Sequence, residues 1–560
     1  MIEILLSLIL FIFLIFIAGF ILTIKIFKLD YDSLEIYEIG LLGIIFLVFL
    51  SFVFHLIVPL NEIYNTFIFV LLILFFSFKI KKKIFKNFIL DYKFILISFL
   101  IIFIMTMKYK PHEDYGYYHL PYIINLVSEK IIFGLSNLQP QFGWNSTWLN
   151  FSTLLYLPLL EIKGTQLSNS ILLFFVFYMF LKELFSFNNK NKLSFLFIIL
   201  LSSYVIIKFS RISAHGFDFP ANIYSLLSLY YFIKIFEEKN TSNINKYFIL
   251  ILCFSLFAIT IKLSAFATPI LIIFIFLLIN KKKDLIIFIK SPLIFCFMFF
   301  LLWILQQFIF TGCFIPHFEF TCIQTVEWYT NDISNMISGL TGAVNKSFNT
   351  YEGDLTSIEY VQNFNWINTW FERHKIELTE HFLAAIIPFI ILIIFNIKSS
   401  SNDENDILKS LINMKLFFIF ISLFTIFGLV VWFIKSPVIR FGIPYLFSLI
   451  FLISILITQI LKINFKKGLY FVIILSVVFN ISKNIDRIIK NNSKNYWPHI
   501  LNIDYSTKLQ NGFEINYPNS KTNSHKAQLC WSVPYICSVS KGENLQLDKK
   551  FSYMFMKTKN

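Results

Sequence analysis

The sequence predicts an all-α, polytopic membrane protein built as a bundle of about fourteen helices, and three observations lead there. Hydrophobic residues fill 57% of the 560 positions and charged residues 14%, with a mean hydropathy of +0.71; soluble domains run at about 45–50% and about 25%. The apolar residues come in runs that match a hydrocarbon core of ~30 Å, which takes ~20 residues of helix. Short basic knots separate the runs: "KIKKKIFK" (79–86), "NNKNK" (188–192), "NKKKD" (280–284) and "KINFKK" (462–467). An open strand would leave backbone groups unpaired in lipid, so the spans have to be helical.

In chain order the spans are 2–24, 39–58, 62–78, 89–107, 167–187, 193–209, 222–236, 247–261, 264–280, 291–310, 381–397, 416–434, 443–461 and 468–482. The first has no basic leader and no small-residue cleavage site, and exceeds the ~7–15 residues of a signal-peptide core, so it reads as a retained span. The first three spans form an N-terminal module, 1–88. A core of 89–482 carries two large loops, 108–165 and 311–380, and 483–560 is a tail. Cytoplasmic loops are rich in Lys and Arg. Placing the four knots inside puts the N-terminus, both large loops, 210–221, 435–442 and the tail outside. The basic segment "SKNIDRIIKNNSK" (482–494) opposes this, but long segments translocate largely regardless of charge. The same placement accounts for the net charge of +15 as a topology signal. No nucleic-acid-binding module accompanies that charge, and a nucleic-acid partner is not expected.

Chemistry concentrates on the outside. In "KPHEDYGYYHLPYIINLVSEK" (110–130), Pro111 ends the preceding span. Tyr117, Leu120, Ile124 and Val127 then recur at the spacing of a short interfacial helix. Glu113 and Asp114 stand at its start, where partial desolvation is expected to raise carboxylate basicity. Cys253 and Cys296 fall within spans. Cys313 and Cys322 share one outer loop, and Cys530 and Cys537 close "CWSVPYIC" in the tail. Oxidising compartments retain disulfides, and C-x6-C is wider than the usual zinc spacing. A Cys530–Cys537 disulfide is expected, with free thiols as the alternative.

These residues carry a resemblance. "EDYGYYHLP" followed by "GLSNLQPQFGWNSTWLNF" (134–151) resembles the first outer loop of C-type (GT-C) integral membrane glycosyltransferases. In particular it resembles a bacterial branch with Asp-x4-His-Leu-Pro, then Gly-Leu-x-Asn-Leu, then Phe-Gly-x-Asn-Ser-x-Trp. The tail resembles that branch's Cys-Trp-x-x-Pro-x-x-Cys ending. The resemblance implies a GT-C-like bundle in the bacterial inner membrane, taking a sugar from a polyprenyl-phosphate donor to a hydroxyl acceptor at the outer face. It makes Asp114 the catalytic base of an inverting transfer, with Glu113 beside it, and places His119, Tyr118, Asn145 and Trp148 around the substrates. The departing phosphate needs cations. Candidates are Arg440 in "KSPVIRFGIPYL" (435–446), Arg211 in "SRISAHGFDFPAN" (210–222) and Lys262. The pattern departs from the superfamily in one respect: three spans, not none, precede the span that leads into the first loop.

Each residue also has a plainer reading. Glu113 and Asp114 could cap a helix, and the arginines could snorkel to headgroups. His215 and Asp218 could do no more than shape a turn. His119 lies five residues from Asp114, off the spacing of a shared helical face. A divalent metal therefore remains an option that no motif demands. Trp328, Trp366 and Trp370 could stack on sugars or anchor at the interface, and 356–375 reads as an interfacial helix. Competing functions are a transporter or flippase of lipid-linked glycans, an O-antigen polymerase or ligase, and an inactive structural partner. Transporters place charges inside the bundle; here the span centres read as uncharged, with the candidate groups at one face.

Overall fold

A computed structural model describes residues 1–77, 82–112, 114–144, 146–186, 192–212, 216–278, 282–330, 339, 341–396, 411, 413–461, 468–519, 528–539 and 545–558. Thirteen of the expected spans are helices over their described residues. The remaining one, 264–280, divides into a 3-10 turn, Leu263–Ala265, and the helix Ile270–Leu278, which begins directly after Pro269. Among the described residues, ten helices are long and apolar enough to cross a membrane. Glu62–Phe76, Leu193–Lys208 and Leu263–Leu278 are apolar but shorter. The basic knots lie largely outside the described residues.

The centre of the bundle is formed by helices that are apolar or small on every side, as enclosure requires. Leu193–Lys208 is buried from Leu193 to Ile206, and Asp218–Glu237 is buried along almost its whole length. Ile36–His55 joins them, packed against Ile2–Phe20, Thr147–Leu154, Ser168–Ser186 and Lys282–Thr311. Residues 1–88 are therefore woven into the bundle instead of standing beside it. Glycine makes the closest crossing: a Cβ on Gly19 would lie 1.8 Å from the Ile39 carbonyl oxygen, and one on Gly43 2.1 Å from that of Ile15. Small residues permit such backbone approach between membrane helices.

The all-α expectation fails in the tail. Tyr505–Gln510 (β1) and Phe513–Pro518 (β2) form an antiparallel hairpin, as do Leu545–Lys550 (β3) and Tyr553–Thr558 (β4). Asn511 and Gly512 take φ of 51° and 82°, the left-handed pair that a two-residue hairpin turn favours. Strand β4 extends onto the first loop: Phe133 N donates to the Met554 carbonyl (2.9 Å) and Met556 N to that of Phe133 (2.8 Å). Cys313 is bonded to Cys322 and Cys530 to Cys537.

Two interfacial helices also differ from expectation. Leu120–Ser128 is enclosed by protein, with Tyr122, Ile123 and Leu126 buried. The expected stripe residues Tyr117, Ile124 and Val127 are half-buried. Segment 356–375 divides into a short helix, Ser357–Val361, and the start of the long helix Ile367–Asn396. Trp366 and Trp370 are buried there, and Trp370 Nε1 donates to the Pro437 carbonyl at 2.6 Å.

Charges gather at both ends of the bundle, not one. At the end away from the large loops, Lys182 bridges Glu35 and Asp91, each at 2.6 Å, and Asp91 accepts from the Tyr178 hydroxyl. Lys234 pairs with Glu183 at 2.8 Å, and Glu183 also accepts from Tyr37 at 2.6 Å. Glu38 accepts from Tyr231 at 2.9 Å beside Lys246. These pairs tie five helices together at their ends. A buried pair that loses one partner costs about 3–5 kcal/mol, whereas replacing both by apolar residues is close to neutral. Lys234→Met is therefore expected to lower the stability of the purified protein by about 3 kcal/mol or more. Lys234→Met with Glu183→Leu recovers most of it, as read by unfolding in denaturing detergent.

Candidate functional site

The end that carries both large loops brings together residues from four distant parts of the sequence. The first is the turn that opens the first loop. Beyond the helix ending at Thr106, Lys108 N donates to the Tyr496 carbonyl (2.8 Å) and Tyr109 Oη to that of Gln166 (2.8 Å). These bonds fix where the chain turns at Pro111. Asp114 then stands at the head of a π-helical turn, Tyr115–His119, that runs into Leu120–Ser128. His112 Nδ1 lies 3.2 Å from Asp114 Oδ2 and 3.1 Å from Asp114 N. Protonated, it donates to the carboxylate; with a lone pair there, it accepts from the amide.

The other three parts meet at Asp218, a buried carboxylate at the first turn of Asp218–Glu237. Arg440 Nε lies 2.8 Å from its Oδ2, and the Lys262 ammonium is bonded to its Oδ1. Lys262 stands at the C-cap of Thr241–Ile261, with Nζ 3.5 Å from the centre of the Phe441 ring. Asn222 Nδ2 donates to the Arg440 carbonyl at 2.9 Å, locking the start of Ile439–Leu461 to the same helix. Two cations thus share one internal carboxylate, and Arg440 is also within electrostatic range of Asp114.

The electrostatics overturn one expectation. Burial does push the Asp114 carboxyl up, but the His112 hydrogen bond and the charges of His119, His112 and Arg440 outweigh it, holding Asp114 down to about 2. Burial pushes His119 down to about 4 despite the attraction of Asp114 and Asp218. His119 is then neutral at pH 7, so the depression of Asp114 near neutrality rests on His112 and Arg440. Burial, reinforced by Arg440 and opposed by Asp218 and Asp114, brings Lys262 down to about 8.

Of the residues singled out in the sequence, Asp114, His119, Tyr118, Arg440 and Lys262 converge here. Tyr118 is buried edge-on to Trp144, 5.5 Å between ring centres, and to His119 at 4.5 Å. Trp148 lines a cavity of about 50 Å³ with His112, Tyr115, His119, Gln166 and Phe217. In that cavity His119 Nε2 and Trp148 Nε1 are buried without a hydrogen-bond partner. Its volume suits a few waters, not a hexose, so a larger ligand has to approach from the solvent side, where Asp114 and Arg440 are each about one-third exposed. Arg211 is exposed and lies within range of Lys483 and Arg487 on the last helix, outside this cluster. Glu113, Asn145 and His215 lie outside the described residues. Among the described residues no three His, Cys, Asp or Glu side chains are grouped as metal ligands.

Sequence reasoning missed Asp218 and His112 as site residues. Nothing local distinguishes Asp218 from a turn-shaping acid; its role comes from cations placed beside it by other helices. The loop motifs have structural partners of their own. Trp531 N donates to the Gly116 carbonyl at 2.8 Å, and a Cβ on Gly116 would lie 2.1 Å from the Trp531 ring. Gly134, at φ +72°, lies against the Met556 carbonyl, while Asn137 Nδ2 donates to the carbonyls of Trp328 (3.1 Å) and Met556 (3.0 Å). Gly-Leu-Ser-Asn-Leu and Cys-Trp-x-x-Pro-x-x-Cys are thus places where the tail grips the first loop, and the second grip falls two residues from Asp114.

The family described as Domain of unknown function (DUF8201) matches residues 1–447. No curated protein and no solved structure matches the chain.

Proposed function

The chain belongs to the family of that domain of unknown function (DUF8201), and from that premise we propose that it is a membrane glycosyltransferase. It moves a sugar from a polyprenyl-phosphate-linked donor to a hydroxyl acceptor at the outer face of a bacterial inner membrane. The observation that carries this reading is the convergence of Asp114 with Arg440 and Lys262 at one end of the bundle. A carboxylate beside paired cations is the arrangement that inverting transfer from a phosphate ester needs.

In this mechanism the acceptor oxygen attacks the anomeric carbon as its proton passes to Asp114. The bond from that carbon to the phosphate oxygen breaks, and the phosphate leaves with the electron pair. Arg440, with its planar fork of donors, and Lys262 meet the developing charge. A carboxylate held near 2 is ionised but weakly basic, and Brønsted behaviour penalises that. Donor binding acts against this: a phosphate on Arg440 neutralises one of the groups that lower Asp114, the His112 hydrogen bond being the larger, and its own charge raises the carboxylate further. Basicity would then rise when the donor is in place.

A second reading is kept because one observation favours it. The buried pairs around Glu35, Glu38, Asp91, Lys182, Glu183 and Lys234 are the sort of intramembrane charge that marks transporters. The sequence argument against a transporter or flippase, uncharged spans, thereby loses weight.

The two readings separate on one assay. Purified protein in liposomes, given polyprenyl-phosphate sugars and hydroxyl acceptors, is expected to release free carrier phosphate. Asp114→Asn should lower kcat by roughly 10²–10⁴-fold with unchanged assembly. Movement of intact donor across the bilayer without release would favour the transporter. The pH dependence follows from Lys262, whose charge disappears as pH rises through about 8. The KM for the donor is expected to climb through that range, and Lys262→Arg, which keeps its charge, should abolish the climb.

A further inference from the structure

The sequence Cys313-Phe-Ile-Pro-His-Phe-Glu-Phe-Thr-Cys322 closes on itself through its terminal disulfide and has two unlike faces. On the outer face Phe314, Phe318 and Phe320 are exposed, Phe320 at 86%. They continue a stripe on the preceding helix, where Ile294, Phe297, Leu301 and Leu305 are exposed at intervals of three and four residues. Ring stacking of Phe308 on Phe314, 5.0 Å between centres, joins stripe to loop. In a membrane-spanning helix such a stripe faces lipid, and its continuation by three phenylalanines places the loop at the bilayer boundary.

The inner face of the same loop closes a second cavity. Ile315 and His317 form one wall, Trp303 and Gln307 another, and Trp144 and Lys262 a third. Trp303 Nε1 and His317 Nδ1 are buried there without a hydrogen-bond partner, and Trp303 is only 4% exposed. Cys313 is fully buried and packs on Trp144, so the disulfide end of the loop is fixed, while Phe318 and Phe320 at its tip are exposed. The cavity measures about 20 Å³, room for one water; it admits a larger group only if the tip swings towards the lipid.

We propose that the disulfide-closed loop 313–322 is the lateral entrance through which a lipid phosphate passes from the bilayer to the Lys262–Asp218–Arg440 cluster. The chain of the lipid stays against Phe314, Phe318 and Phe320. Its phosphate travels past the indole N–H of Trp303, a donor without a partner, and the unpartnered Nδ1 of His317 to the ammonium of Lys262. The proposal rests on the reading of that cluster as a phosphate site; the lipid contact of the loop does not.

The test uses the full chain in liposomes. With Phe320→Trp, brominated phospholipid is expected to quench the added fluorescence over the wild-type background, and no added quenching would overturn the proposal. Polyprenyl phosphate and inorganic phosphate are then compared as ligands. Phe314→Ser with Phe318→Ser and Phe320→Ser should weaken the polyprenyl phosphate roughly tenfold while leaving inorganic phosphate unchanged. Equal weakening of both, or of neither, would overturn the entrance while leaving the phosphate site standing. A wild-type protein that binds no polyprenyl phosphate would sink the glycosyltransferase reading and the entrance together.

Discussion

One carboxylate holds the loop-bearing end of this bundle together. Asp218 is buried at the first turn of its helix, and two cations from elsewhere in the sequence, Lys262 and Arg440, both lie on it. Neither cation could be buried alone, because an unpaired charge taken out of water costs several kcal/mol. The carboxylate and the cations therefore require one another, and together they fix how three helices end relative to the first loop. With two positive charges on one negative charge, the cluster keeps an excess of positive potential directed at Asp114. Arg440 adds to the His112 hydrogen bond in lowering the Asp114 carboxyl, and on the proposed reading the excess draws in an anionic ligand. Stability and function here draw on the same imbalance.

The opposite end solves a similar problem differently. There, three lysines meet four carboxylates, Lys182 bridging two of them, and tyrosine hydroxyls donate to Asp91, Glu183 and Glu38. The tail adds a covalent and a hydrogen-bonded restraint at the loop-bearing end. Cys530–Cys537 closes the segment whose Trp531 rests on Gly116, and β4 pairs with Phe133. The turn carrying Asp114 is thus gripped from behind by residues more than four hundred positions away.

Much of the fold was legible because hydrophobic runs and lipid thickness constrain one another strongly; the expected spans lie on helices, with 264–280 interrupted before Ile270. The breaks in that legibility have physical causes. No strand was expected in the tail although Asn511-Gly512 is a strong hairpin turn, since attention to span length ignores period-two patterns. Leu120–Ser128 was read as interfacial because an amphipathic stripe does not reveal which neighbours pack on it, here the turn Tyr115–His119 and the helix Thr147–Leu154. At the site, Asp114 could be named from the first-loop motif, and Arg440 and Lys262 from their positions at span ends. Arg211, at another span end, points to a different cluster, which sequence spacing cannot foresee. Asp218 and the depressed Asp114 were out of reach, because both depend on charges that only tertiary packing brings close.

The central claim is that Arg440 is held by Asp218 so as to receive a lipid phosphate beside Asp114. Its most direct measurement is the dissociation constant of polyprenyl phosphate for the wild-type protein and for Arg440→Gln, in detergent at matched stability. Loss of a charge-assisted contact of about 1.5–3 kcal/mol predicts binding weakened by at least about tenfold in the variant. Equal affinity in the two proteins would contradict the account.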